Sequence, residues 1–253
     1  MIIDDFPSIQ WTNIVICDPV LCAVRRAQLD NRGVTLWCAT FDVAGTGDPC
    51  DGEIVSATRL AHAGKKRLAE FFAGRRLARV ALAHAGHTET WLARSSSGAP
   101  IWPSGFSGSL SHKRNVVTVM LGPSSLRLGV DVEEPFTGFS LDAISRRALS
   151  KTERQSAGDS PFGRALCTTI LFSAKEALYK ALSPEVRVRF GFEAAELNAP
   201  PQNGRLTLKL TRTLTPALPA GASFELCYSG LDGRVLTWLS APRPPKPHRR
   251  SSR

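Results

Sequence analysis

The chain has 253 residues, 43% hydrophobic and 21% charged, which suits a folded protein with a substantial core and excludes disorder over most of its length. Lys and Arg number 32 against 22 Asp and Glu, a net charge of +10, so a polyanionic partner is expected: nucleic acid, a phosphorylated ligand, an acidic protein or an anionic membrane. Five of those excess charges lie in residues 241–253 (APRPPKPHRRSSR), a Pro-rich stretch read as a disordered tail, so charge alone does not point to nucleic acid.

Six cysteines form no C-x-x-C pair, and His84 and His87 have no cysteine pair nearby, which excludes a zinc finger. No apolar run of about 18 residues reads as a membrane span. The start, with Asp4 and Asp5, lacks the basic-then-apolar pattern of a signal peptide. A reduced, cytoplasmic protein is expected.

In chain order, residues 14–24 are apolar but ambiguous, and 33–43 read as a strand followed by turn residues at 44–52. Residues 54–83 carry Leu60, Leu68, Phe71, Phe72, Leu77 and Val80 at helical intervals and predict one or two helices, interrupted near Gly64 or Gly74. Residues 95–109 read as a Gly/Pro/Ser loop, and 116–121 and 127–133 as strands. Helices are predicted over 140–154 and 162–182, then strands over 204–213 and 223–240. Strand, helix and strand thus recur in each half. The prediction is a pseudo-duplicated α+β chain of two lobes, 1–125 and 126–240, each a small sheet packed with helices, followed by the tail at 241–253.

Four segments could carry chemistry. In LRLGVDVEE (126–134), a strand period of two puts Asp131 and Glu133 on one face, where paired carboxylates suit Mg²⁺; an exposed strand face would look the same. In LFSAKEALYKAL (171–182), Phe172, Glu176 and Lys180 share a helical stripe. It reads either as a surface ion pair or as a third carboxylate with Lys175 and Lys180 addressing phosphate. In GSLSHKRN (108–115), Ser111 and His112 offer phosphate donors. A Ser-His-Asp hydrolase is excluded, because strand neighbours point to opposite faces and no G-x-S-x-G elbow is present. GKKRLAEFFAGRRLAR (64–79) holds six Lys/Arg and one Glu, and Arg67 and Arg75 can border one cleft as phosphate forks.

In this order and spacing the segments resemble the large, single-chain Sfp-type 4′-phosphopantetheinyl transferases. The residues carrying the likeness are Arg67-x-x-Glu70-Phe71 with Arg75, Trp102-Pro103-x-Gly105, Gly108-Ser109-Leu110-Ser111-His112, Gly129-x-Asp131-x-Glu133 and Phe172-x-x-Lys175-Glu176-x-x-x-Lys180. Gly191-Phe192-Glu193 further resembles the branch that activates siderophore and polyketide synthases. The resemblance implies a two-lobed α+β fold with coenzyme A and Mg²⁺, or Mn²⁺, between the lobes. It makes Asp131, Glu133 and Glu176 metal ligands. It places Arg67, Arg75, Arg94, Ser111, His112 and Lys175 near the phosphates of coenzyme A, and makes Glu176 and Lys180 the catalytic base and lysine.

Two departures stand out. Phe172 replaces the Trp of many relatives, a change expected to affect packing. Ser97 stands where relatives often carry a basic residue, leaving Arg94 as the cation on that side. The implied reaction is transfer of the phosphopantetheine arm of coenzyme A to a serine of an apo acyl- or peptidyl-carrier protein, releasing 3′,5′-ADP. Arg146, Arg147, Lys151 and Arg154 are the implied docking residues for that acidic partner. A monomer without nucleic-acid or membrane partners is expected. The rivals are a basic nucleic-acid-binding protein, which would need aromatic residues among the basic ones, and an inactive carrier-protein binder, against which the intact acidic trio argues.

Overall fold

The structure, a computed structural model, describes residues 3, 6–42, 63–87, 91–95, 98–186 and 188–244. Its frame is two five-stranded antiparallel sheets. The first contains β1 (Thr12–Asn13), β2 (Leu21–Gln28), β3 (Thr35–Phe41), β4 (Phe106–Lys113) and β5 (Val116–Pro123), in the order β1-β2-β3-β5-β4. The second contains β6 (Leu126–Glu133), β7 (Ala195–Gln202), β8 (Arg205–Leu210), β9 (Ser223–Leu231) and β10 (Arg234–Pro242), in the order β6-β10-β9-β8-β7.

Helix α1 (Lys65–His84) covers the first sheet. Ala69, Ala73, Ala78 and Ala81 form its buried stripe, with Leu77 reaching the Trp37, Val117 and Val119 side chains. Small residues there let the helix axis come close to the sheet. The helix runs unbroken through Gly74, whose missing side chain faces Leu110 on β4, and it begins after Gly64; residues 54–62 of the predicted helix and the turn residues 44–52 lie outside the described residues.

The predicted helix over 140–154 is two helices, α2 (Gly138–Ala148) and α3 (Lys151–Gly158). Ser150 opens the second with a capping box: its hydroxyl accepts from Glu153 N–H, while Glu153 accepts from Ser150 N–H at 2.8 Å. Helix α4 (Arg164–Leu182) lies on the second sheet, with Ile170, Leu171, Ala174, Ala177, Leu178 and Ala181 in the core.

A third cluster joins the sheets: Val34, Leu36, Val116 and Met120 from one, Leu128, Val130, Val132 and Leu236 from the other. The strands β5 and β6 meet at the turn Ser124–Ser125 and are buried along nearly their whole length; β5 reads as a continuous apolar run, whereas β6 alternates leucine and valine with Arg127, Gly129, Asp131 and Glu133. Residues 6–7 cross to the second sheet: Phe6 packs edge-on against Tyr228, and Ser229 Oγ donates to Pro7 O at 2.7 Å.

The short β1 and β2 flank or overlap the ambiguous stretch 14–24, and two further strands are not legible in the sequence. The Gly/Ser-rich 106–113 is β4, paired with β5 through a two-residue turn at Arg114–Asn115. The proline-bearing 195–202 is β7, an edge strand with two irregularities in its register, which is where prolines are tolerated. The start of the predicted tail is also ordered: Pro242 pairs with Leu126, and Arg243 N–H donates to Ser125 O at 2.7 Å. Residues 245–253 lie outside the described residues, and no described helix is long and apolar enough to cross a membrane.

Gly129 sets the spacing between β6 and α4. A Cβ there would sit 1.9 Å from the Ala177 carbonyl oxygen, a backbone atom that cannot move aside. We predict that Gly129→Ala costs about 1–3 kcal/mol or more by forcing helix and strand apart. In urea or thermal unfolding it should lower the melting temperature by several degrees; an unchanged midpoint would contradict the contact.

Candidate active site

With α4 this close, its inward residues fall on β6. Asp131 is almost fully buried, and each of its oxygens is engaged. Oδ1 accepts from Lys180 Nζ at 2.7 Å and Ser111 Oγ at 2.8 Å, and Oδ2 accepts from Ser173 Oγ at 2.8 Å. Lys180 also donates to Ser111 Oγ and to Val130 O at 3.1 Å. Three elements, β4, β6 and α4, therefore converge on one carboxylate. Two residues on, Glu133 pairs with Lys113.

Glu176 lies one turn before Lys180. Burial raises its carboxyl above the usual range; Asp131 and then Glu133 push it further up, while Lys180 and Arg147 oppose them. The three acids predicted as metal ligands thus lie within one another's electrostatic field. They are not drawn into a tight cluster: among the described residues no three His, Cys, Asp or Glu side chains form a group that could hold an ion. Lysine ammonium groups hold Asp131 and Glu133 instead. The donor set still fits a hard divalent cation, being three carboxylates on a rigid strand and helix whose mutual repulsion a cation would relieve.

The other side of β4 is cationic. Arg67 on α1 reaches His112, with Nη1 and Nε2 3.0 Å apart. A guanidinium only donates, so Nε2 accepts and the ring proton sits on Nδ1, which lies 3.6 Å from Glu70 Oε2. Burial lowers the His112 pKa; the fields of Arg67 and Lys180 lower it further, against Glu70 and Asp131.

Arg75 and Arg76 are both buried but differently employed. Arg76 Nη1 pairs with Asp18 at 3.2 Å, and Asp18 also accepts from Val20 and Leu21 N–H, fixing the loop ahead of β2 to α1. Arg75 has no such acid among the described residues. Its guanidinium lies 4.3 Å from the Phe71 ring centre, and its Nε and Nη2 are buried without a hydrogen-bond partner. Burial, then repulsion from Arg94 and Arg67, lowers its pKa to about 10. Three arginines thus share a region with one unsatisfied, desolvated fork, a ready anion site. Arg94 Nε donates to Gly98 O at 3.4 Å; Ser97 beside it lies outside the described residues. Trp102 lies flat on β4 at Gly108, where a Cβ would come within 2.6 Å of the ring.

The resemblance assigns Lys175 to phosphate; in the structure it is 3% exposed and donates to Glu153 Oε2 at 2.7 Å, Ala148 O at 3.0 Å and Phe192 O at 3.3 Å. All three ammonium protons are spent inside the second lobe, where they tie α2, α3 and α4 together. Phe172 packs between Phe136 and Phe192 at ring distances of 5.2 and 5.4 Å, a packing role as expected. A cavity of about 600 Å³ beside Glu176 is lined by Phe172, Tyr179, Phe190 and Phe192 with Arg147 and Arg189. Of the docking residues, Arg146, Arg147 and Lys151 are exposed, whereas Arg154 is half-buried and donates to Leu149 O at 2.7 Å.

Sequence reasoning passed over Ser173, Lys113 and Thr237. Ser173 had a signal, its spacing of three and seven from Glu176 and Lys180 on one helix face. Thr237 had none, since only sheet register brings it opposite Asp131.

Two outcomes follow. Because the folded state resists protonating His112, it binds fewer protons than the unfolded chain below the ordinary histidine value of about 6.5. Stability should therefore fall as pH drops through that value, and His112 should titrate below it by NMR. Arg75→Met should remove an uncompensated buried charge and raise stability by about 1 kcal/mol or more, while abolishing the thermal stabilisation conferred by pyrophosphate. Retained pyrophosphate stabilisation would remove Arg75 from the anion site.

Families of known proteins match both halves of the chain. A profile described as the 4′-phosphopantetheinyl transferase N-terminal domain matches residues 56–122, and one described as the 4′-phosphopantetheinyl transferase superfamily matches residues 127–226. The 4′-phosphopantetheinyl transferase Svp of Streptomyces mobaraensis is 31% identical over 74% of this chain and 78% of its own length. Enterobactin synthase component D of Salmonella typhimurium is 34% identical over 56% of this chain and 58% of its own length, so the chain spans little more than half of that relative. The holo-[acyl-carrier-protein] synthase of Thermotoga maritima aligns with a TM-score of 0.34 and 19% identity, over 46% of this chain and 62% of that one.

Proposed function

The chain belongs to the 4′-phosphopantetheinyl transferase superfamily, and from that premise we propose that it transfers the phosphopantetheine arm of coenzyme A to a serine of an apo carrier protein. The observation that carries this reading is the pair Ser111-His112 on β4. Ser111 belongs to the Asp131–Lys180 cluster and His112 to the arginine side. One dipeptide thus joins a site for a divalent cation to a site for phosphates, the combination a diphosphate donor needs.

In the proposed reaction the serine oxygen forms a bond to the β-phosphorus of coenzyme A. The bond from that phosphorus to the bridging oxygen breaks, and 3′,5′-ADP leaves. Such displacements depend on positioning and charge stabilisation. Arg67, Arg75 and Arg94, with His112, hold the nucleotide phosphates; Arg75 gains the acceptor it lacks. Lys180 stands by Ser111 to stabilise the departing phosphate. Glu176 takes the serine proton, directly or through a water. Asp131, Glu133 and Glu176 would hold a divalent cation, which when bound would supply further neutralisation of the pyrophosphate.

The acidic carrier protein is assigned to the surface of α2. Arg146 and Arg147 are exposed there, Phe139 at its start is 96% exposed, and Val188 is 76% exposed. Apolar anchors among arginines suit a partner that meets them through charge and docks through contact.

The reading is tested by incubating apo fatty-acid, polyketide and peptide carrier proteins with the protein, coenzyme A and Mg²⁺, followed by mass spectrometry. One carrier should gain one phosphopantetheine arm. Glu176→Gln should lose transfer by a factor of about 10²–10⁴ while still binding 3′,5′-ADP. No gain on any carrier would overturn the reading, and a fully active Glu176→Gln would remove Glu176 from it.

A further inference from the structure

Behind Asp131 lies a pair of hydroxyls that the reaction as described does not use. Ser173 Oγ is 2.8 Å from Asp131 Oδ2 and 2.9 Å from Thr237 Oγ1, and neither Ser173 nor Thr237 has any exposed surface. The direction of this chain follows from chemistry. An ionised carboxylate only accepts, so the single Ser173 proton goes to Asp131, and Thr237 must donate to Ser173.

Neither hydroxyl is where packing alone would put it. A hydroxyl inside a helix ordinarily bonds back to the carbonyl four residues earlier. Thr169 on the same helix does so, donating to Ala165 O at 2.9 Å. The Ser173 hydroxyl instead leaves its helix for β6. Thr237 sits between Val235 and Leu239 on one face of β10, a stripe whose other members belong to the apolar core. Valine would fill that place without the cost of burying a hydroxyl. Register puts Thr237 directly across from Asp131, so the hydroxyl is spent on the one neighbour pair that can use it.

We propose that Ser173, backed by Thr237, is a positioning residue that fixes the orientation of the Asp131 carboxylate. Oδ2 is pinned by Ser173 from behind, while Ser111 and Lys180 engage Oδ1. The carboxylate plane is thereby set before any ligand arrives. This inference rests on the functional reading above, in which Asp131 is a ligand of the divalent cation.

The test measures Mn²⁺ binding by the full chain, by calorimetry and without coenzyme A or carrier protein, for the wild type, Ser173→Ala, Thr237→Val and Thr237→Ser. Removing a group that orients a metal ligand lowers metal affinity by about 10–100-fold. Ser173→Ala should weaken Mn²⁺ binding about 10-fold or more, Thr237→Val by a smaller factor in the same direction, and Thr237→Ser should bind as the wild type does. In the transfer assay, Ser173→Ala should raise the Mn²⁺ concentration for half-maximal rate more than it lowers the rate at saturating metal. If Ser173→Ala fails to fold, the Thr237 pair decides. Unchanged Mn²⁺ affinity in Ser173→Ala and Thr237→Val, with the wild type active in transfer, overturns this proposal alone. So does a loss in Thr237→Ser equal to that in Thr237→Val, which would mark a packing effect. A wild type that neither binds Mn²⁺ nor transfers the arm overturns the functional reading and this inference with it.

Discussion

The buried carboxylate of Asp131 is the constraint around which the rest is arranged. Removing a charge from water costs several kcal/mol unless donors replace the lost hydration, and leaving it half-satisfied is worse than not having it. Here the replacement comes from two hydroxyls and an ammonium on two different elements, β4 and α4. That supply works only because Gly129 lets the α4 backbone touch β6. The glycine of the G-x-D-x-E segment and its first acid are two parts of one device: the first sets the distance, and the second collects what that distance brings within reach.

Charge is balanced unequally on the two sides of β4. On the acidic side, Lys180 and Lys113 answer Asp131 and Glu133 within the protein. On the basic side, Arg76 is answered by Asp18 but Arg75 by no acid among the described residues, and Arg94 and Arg67 repel it. A folded protein that tolerates an unanswered buried guanidinium carries a cost that an anion repays, and donors already in place need no reorganisation when it arrives. This reading gives the net charge a location. Of the three neighbouring arginines only Arg75 is buried, while Arg67 is exposed and Arg94 half-buried, and the charge of the basic tail is a separate matter.

The strand bearing Asp131 and Glu133 and the helix bearing Glu176 and Lys180 were legible from period alone, because both are long and their polar positions recur at the period of the element. The strand β4 was hidden because Gly105, Ser107, Gly108 and Ser109 imitate a loop. Its small residues exist to receive Trp102 and to face β6, and that requirement appears only in three dimensions. The prolines of β7 hid it in the same way, since an edge position forgives what local propensity forbids. Lys175 shows the converse. Its place in a motif points to a ligand, while its partner in the structure, Glu153, lies on a helix that the sequence does not separate from its neighbour.

The relation between β4 and β6 explains how one fold holds two kinds of site at once. Both strands face each other across the lobes without pairing backbone to backbone. The Ser109 and Ser111 hydroxyls accept from Val130 and Val132 N–H, at 3.0 and 3.3 Å, and so satisfy donors that a neighbouring strand would otherwise take. Direct pairing would merge the two sheets at a spacing of about 4.8 Å. A serine layer keeps them separate, leaves Ser111 free to bond Asp131 as well, and lets the next residue, His112, reach α1. The outer links are ionic and polar, with Arg25 on Asp232, Arg234 on Asn115 and Arg114 on Glu134, so the lobes are held at the rim as well as through the apolar cluster between them. Apart from Arg94, the side chains of the candidate site are therefore placed by strands and helices rather than by loops. That placement is what a reaction dependent on positioning requires of its scaffold.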